Sequence, residues 1–120
     1  MAKEIGVLSE RVVSLLGLSL PPGQPIYLGQ SNIAHMLSRH PADFALYGEY
    51  IPLILAAPDY VALNAKDGSI EYVKEVQVNS VFVKVAVRVS ARGQLFARSV
   101  YRLNTNRVLN FIEKGTLKQY

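Results

Sequence analysis

The sequence predicts an α+β domain: N-terminal helices packed on one face of a four-stranded antiparallel sheet, and a short helix near the C-terminal end. Three observations carry this. Apolar residues in the first half recur near helical spacing. From residue 70 onward they alternate with a period of two. Turn signals, K-D-G-S at 66–69 and A-R-G at 91–93, separate the alternating runs. Helices first and strands later suit a mostly antiparallel meander.

Ile5, Leu8, Val12, Leu15 and Leu16 predict a helix over 4–16, with Gly17 at its C-cap. The prolines of L-S-L-P-P-G-Q-P bar regular helix and make a linker, and I-Y-L-G at 26–29 reads as a short edge strand or extended chain. Ser31 or Asn32 can cap the next helix, which runs to about Arg39 because the residue before Pro41 avoids helical angles. Ala42 or Asp43 starts another helical piece, and Pro52 either breaks it or opens a further helix at 53–57. Strands are expected in P-D-Y-V-A-L-N and over 70–78, 80–90 and 94–103. Thr105 or Asn106 can cap a closing helix of Val108, Leu109, Phe111 and Ile112, ended near Gly115.

The chain has 120 residues, the size of one domain, and half of them are hydrophobic, enough for a single core over 1–120. There is no cysteine, which removes disulfides, thiolate metal sites and a cysteine nucleophile together. The first ten residues, M-A-K-E-I-G-V-L-S-E, lack the long apolar run of a secretion signal, so a cytoplasmic site of action is the expectation. The most apolar stretch, 44–57, contains Glu49 and Pro52 and is too short to span a bilayer, so no membrane partner is expected.

The net charge of +4 hides an asymmetry. Residues 1–79 carry five basic and eight acidic side chains, whereas residues 80–120 carry eight basic ones against Glu113 alone. A field so one-sided favours an anionic partner, nucleic acid above all. Pairing the last two long strands across a three-residue loop at 91–93 puts Val89, Val87, Val85 and Val83 opposite Leu95, Ala97, Ser99 and Tyr101 on one face. The other face then interleaves Lys84, Arg88, Arg98 and Arg102 with Phe82 and Phe96. Like charges so close repel, and a bridging phosphate would relieve them, while the rings could stack on bases.

His35 and His40, in H-M-L-S-R-H-P, are the only histidines. Five residues along a helix turn side chains apart by about 140°. Zinc-binding histidines at i and i+4 sit roughly 40° apart, so this pair does not form such a site, and no metal is expected. Either could instead act as general acid or base, with His40 at the helix end. No G-x-S-x-G elbow, P-loop or G-x-G-x-x-G is present. Glu71 and Glu75 would share a strand face about 13 Å apart, too far for a paired-carboxylate site. No strand glutamate stands obviously beside the cations, so the general base is unassigned.

The order I-Y-L-G-Q-S-N-I-A-H-M-L-S-R-H-P-A-D-F, I-L-A-A-P-D-Y-V, then K-V-A-V-R and F-A-R-S-V-Y-R-L-N resembles the phage-associated nuclease families of the barnase, EndoU, colicin and RelE superfamily, over residues 5–118. That resemblance implies small metal-independent ribonucleases without cofactors, many of them toxins, whose sheet binds RNA on the side away from the helices. It implies cleavage by 2′-OH transesterification to a 2′,3′-cyclic phosphate, and it allows an acidic immunity protein as a partner. Transferred residue by residue, it points to His40, His35, Lys84, Arg98, Ser99 and Tyr101 for catalysis and to Arg88, Arg102, Phe82 and Phe96 for RNA contact. The strand register above sets Ser99 and Tyr101 on the packed face, against that role unless a bulge re-aims them. Two other readings are a non-catalytic nucleic-acid-binding module and an adaptor whose basic face meets an acidic protein. An enzyme needs a titrating group next to the cations; a binding module does not.

Overall fold

The computed structural model describes residues 2–76 and 80–120. In chain order the elements are β1 (Lys3–Val7), α1 (Glu10–Leu16), β2 (Pro25–Leu28), α2 (Gln30–Arg39), α3 (Pro41–Tyr47), a 3-10 turn (Gly48–Tyr50), α4 (Ile51–Ala56), β3 (Tyr60–Leu63), β4 (Ile70–Val76), β5 (Val81–Val89), β6 (Leu95–Leu103), α5 (Thr105–Glu113) and β7 (Lys118–Gln119). The α+β class holds, but the sheet has seven strands rather than four, ordered β1-β2-β6-β5-β4-β3-β7. Among the described residues, only β2 and β6 pair in parallel. The end of the strand expected over 70–78 lies outside the described residues. No helix among the described residues is long and apolar enough to cross a membrane.

The first correction is at the N-terminus. The helix expected over 4–16 is a strand followed by a short helix. Ser9 ends the strand and caps α1, its hydroxyl accepting the Val12 N–H at 3.1 Å. Gly6 sits at a bulge in the β1–β2 pairing, where an added Cβ would meet Leu55 at 3.2 Å. Apolar residues at helical spacing thus serve one core from a strand, a loop and a helix: Ile5 packs against it, and Leu8 and Val12 are buried in it. Gly17 takes φ 62° and closes α1 as expected, with Leu18 N–H reaching Val13 O at 3.0 Å.

Helix α2 is capped at Gly29, not at Ser31 or Asn32. Asn32 contributes from three residues inside, its Oδ1 accepting the Gly29 N–H at 2.8 Å. The helix ends at Arg39 as Pro41 requires, and His40 is the hinge into α3, with φ −140° and ψ 63°. Pro52 lies in the first turn of α4, where its missing N–H costs nothing. Asn104, rather than Thr105 or Asn106, caps α5 through the Arg107 N–H at 3.2 Å.

The main core lies on one sheet face, where Val83, Val85 and Val87 of β5 meet Leu95, Ala97 and Val100 of β6 under α1, α4 and the buried Met36 and Tyr47. Each such side chain contributes about 1.5–3 kcal/mol of burial. The opposite face is covered only at one end. There α5 lays Val108 over Ala62, Val73 and Leu117, with Phe82 and Leu103 against them. Strand β2 pairs with β6 only at Ile26–Leu95 and Tyr27–Phe96, and α2 and α3 flank the rest of β6. The uncovered part of that second face is a cleft between α2 and α5.

Candidate active site

One irregularity builds the cleft. Val87 pairs with Ala97, but Ala86 pairs with Ser99, so Arg98 is an extra residue bulged out of β6. Beyond it every β6 side chain changes face. Val100 now fills the core opposite Val85, while Ser99 and Tyr101 face the cleft opposite Ala86 and Lys84. The alternation-based register, which set Ser99 and Tyr101 on the packed face, is thereby corrected. Two expected RNA contacts are lost, Arg102 because the bulge turns it to the other face and Phe82 because α5 covers it. Arg102 lies opposite Val83 and turns to Asp43, which takes its backbone N–H at 3.2 Å and approaches its Nε at 4.0 Å. Phe82 packs against the small core under α5 instead of lining an open face.

Strand β4 supplies what sequence reasoning missed. Glu71 pairs with Ala86, and its Oε2 lies 3.0 Å from Lys84 Nζ, each side chain 15% exposed. Asn64 holds the same oxygen at 3.2 Å through Nδ2. Asn64 is itself fixed by an Asx turn: its Oδ1 accepts the Lys66 N–H at 2.8 Å, and Gly68 completes the bend at φ 75°. Burial works against the charge on Lys84. Hydrogen bonds to Tyr101 and Glu71, with the Glu71 charge, outweigh it and raise the lysine above its ordinary value.

Around this pair the cleft is lined by α2 on one side and the 64–69 turn on the other. His35 and Arg39, four residues apart on α2, both border it, with Arg98, Ser99 and Tyr101. Arg88 is tied to the turn, Nη2 to Asp67 Oδ2 at 2.8 Å and Nε to Ser69 Oγ at 3.3 Å. Hydrogen bonds from Ser69 and then Arg88 bring the Asp67 carboxyl from 3.8 to about 2. The two histidines part as their angular separation requires. His35 lines the cleft, whereas His40 stacks on the Tyr101 ring at 4.6 Å and 24°. Lys84 Nζ is 4.9 Å from the centre of that ring.

The expected set therefore assembles in part. His35, Lys84, Arg88, Arg98, Ser99 and Tyr101 come together, with Phe96 at one end. His40 touches the group through Tyr101, and Phe82 and Arg102 stand apart. The basic excess of the second half is also tempered, because Glu71, Asp67 and Asp43 reach Lys84, Arg88 and Arg102 from the acidic half. Among the described residues, Arg98 and Arg39 have no acidic partner.

A carboxylate against a lysine, ringed by arginines and histidine on an open sheet face of a small α+β domain, is a constellation suited to phosphodiester chemistry. Residues 3–110 match the family of phage-Barnase-EndoU-ColicinE5/D-RelE like nuclease3, and the chain belongs to that family. No curated protein and no solved structure matches the chain significantly.

Proposed function

We propose that the protein is a metal-independent RNA endonuclease that cleaves by 2′-OH transesterification. One observation carries this: Glu71 and Lys84, 3.0 Å apart, stand on the floor of a cleft walled by His35, Arg98 and Tyr101. Glu71 takes the proton of the ribose 2′-OH. The freed oxygen bonds to the adjacent phosphorus, and the bond from phosphorus to the 5′ oxygen breaks. His35 protonates that leaving oxygen from the α2 wall. Lys84 and Arg98 hold the charge that gathers on the phosphoryl oxygens, with cations supplied by the chain itself. Tyr101, set by the His40 stack, hydrogen-bonds in the same row, and Ser99 lines the floor beside it. The products are a 2′,3′-cyclic phosphate and a 5′-OH. DNA lacks the 2′-OH and is not cleaved this way.

Labelled RNA incubated with the protein in EDTA is expected to gain cyclic-phosphate ends. Binding without cleavage would overturn the enzyme and leave a binding module; cleavage abolished by EDTA would overturn the metal-free step. Arg98→Ala is expected to weaken RNA binding uniformly across sequences and to lower the slope of log K against log salt by about 1, checked by titration at several salt concentrations. An unchanged slope would remove Arg98 from phosphate contact.

A further inference from the structure

Glu71 is held by two donors, and both take the same oxygen. Lys84 Nζ reaches Oε2 at 3.0 Å, and Asn64 Nδ2 reaches it at 3.2 Å. Among the described residues Oε1 has no hydrogen-bond partner. Nor is it sealed in: the one fully buried side-chain oxygen or nitrogen without a partner among those residues is Tyr72 Oη. Oε1 therefore keeps access to solvent, on a side chain that is 15% exposed and borders the cleft.

Lysine alone does not choose between the two oxygens. The terminal torsion of a glutamate is broad and two-fold, and an ammonium is a point charge that either oxygen satisfies. Lys84 is also shared, since it hydrogen-bonds Tyr101 as well as Glu71. Asn64 Nδ2, by contrast, has Glu71 as its one partner among the described residues. Its amide is fixed end for end. Oδ1 accepts the Lys66 N–H at 2.8 Å and the Asp67 N–H at 3.4 Å, so exchanging the two ends would set a donor against donors. The backbone beneath is held as well: Asn64 N–H donates to Ser69 O at 2.9 Å, and Asn64 O accepts the Gly68 N–H at 2.8 Å. The donor aimed at Oε2 is thus carried by a hydrogen-bonded turn between β3 and β4.

We propose that Asn64 is a positioning residue of the reaction: by holding Oε2 together with Lys84, it leaves Oε1 as the atom that takes the 2′-OH proton. The Oε1–H bond forms as the 2′ O–H bond breaks. The freed electron pair goes to phosphorus, and the bond from phosphorus to the 5′ oxygen breaks with its pair on that oxygen. The proposal rests on the RNA-cleavage reading with Glu71 as base, and adds which carboxylate oxygen acts and what aims it. Asn64 takes no part in bond making, so losing its aim costs rate and spares binding.

The test pairs two substitutions with different side effects. Asn64→Asp keeps an oxygen for the Lys66 N–H, because aspartate makes the same turn as asparagine, but it puts an acceptor where the donor was. Asn64→Ser adds no charge, supports the turn more weakly and gives up the bond to Glu71. Only the lost donor is common to both. On a labelled RNA each variant is expected to show kcat at least tenfold below the wild type, with KM within about threefold. A smaller loss of kcat in either folded variant would overturn the assignment. In the aspartate it would show that no donor is needed; in the serine, that the loss came from the added charge. A raised KM with kcat unchanged would make Asn64 a substrate contact and overturn it too. Denaturant unfolding follows the fold, and if one variant does not fold the other decides. If the wild type cleaves no RNA, or Glu71→Gln cleaves like the wild type, the base reading fails and takes this assignment with it. Cleavage that depends on Glu71 but not on Asn64 removes the assignment alone.

Discussion

Replacing Glu71 with glutamine is expected to slow RNA cleavage by about 10²–10⁴-fold, the contribution typical of a positioned general base. The substitution is close to isosteric. A glutamine oxygen can still accept from Lys84 and from Asn64, which hold Oε2 at 3.0 and 3.2 Å. What it loses is the capacity to take a proton. Affinity for RNA should hold or rise slightly, because a negative charge leaves the phosphate path. The two quantities separate base catalysis from a structural counter-ion role: single-turnover rate on a labelled RNA, and the dissociation constant by titration. A rate reduced only a few-fold would make Glu71 a partner that merely seats Lys84, and His35 would then be the next base to test by substitution.

That Glu71 escaped a reading of the sequence has a physical reason. Its role depends on the β4–β5 register, which sets it opposite Ala86 and diagonal to Lys84. The hairpin between 91 and 93 announces its own register through Gly93, whose φ is 80°. The β4–β5 connection offers no such glycine, and its middle lies outside the described residues. Along its own strand Glu71 has only Glu75 as a same-face carboxylate, too distant for a pair, and its partner Lys84 lies across the sheet on β5. The β6 bulge left a trace in the sequence, though strict alternation passes over it. Apolar residues at 95, 97 and 100 lengthen the spacing from two to three, and a strict alternation would have put Val100 in water and Tyr101 in the core. The N-terminal strand was harder. Ile5, Leu8 and Val12 fit a helix, and only Gly6 and the Ser9 cap argue for a break between two elements. The C-terminal ends of α1 and α2, the long alternating strands and the cationic character of β5 and β6 depend on local chemistry, and they were readable. Face assignment past a bulge, and any contact between strands far apart in sequence, required the tertiary pairing.

Lys84→Met is expected to cost about 10²–10³-fold in cleavage, the order lost when one preorganised charge-stabilising donor is removed. It should also destabilise the fold, because Glu71, 15% exposed, would keep only Asn64 for its charge. The Glu71→Gln/Lys84→Met double variant should recover part of that stability, with a coupling of about 0.5–3 kcal/mol in a double-mutant cycle followed by denaturant unfolding. It should recover none of the rate. Recovery of both would mean that the pair is structural. The pH dependence has a definite sign. The folded pKa of Lys84 is raised, with burial opposing and the Tyr101 and Glu71 contacts prevailing. The stability that Lys84 gains from its charge is thus fully present below the unfolded lysine value, about 10.5, and is lost as pH rises through the higher folded value. Lys84 stays charged across the neutral and mildly alkaline range. Any fall in cleavage between about pH 7 and 9 must then come from a different group, and Lys84→Arg, which keeps the charge, should leave that limb of the profile in place. A limb that moved with Lys84→Arg would place the titrating group at Lys84 itself and contradict the raised value.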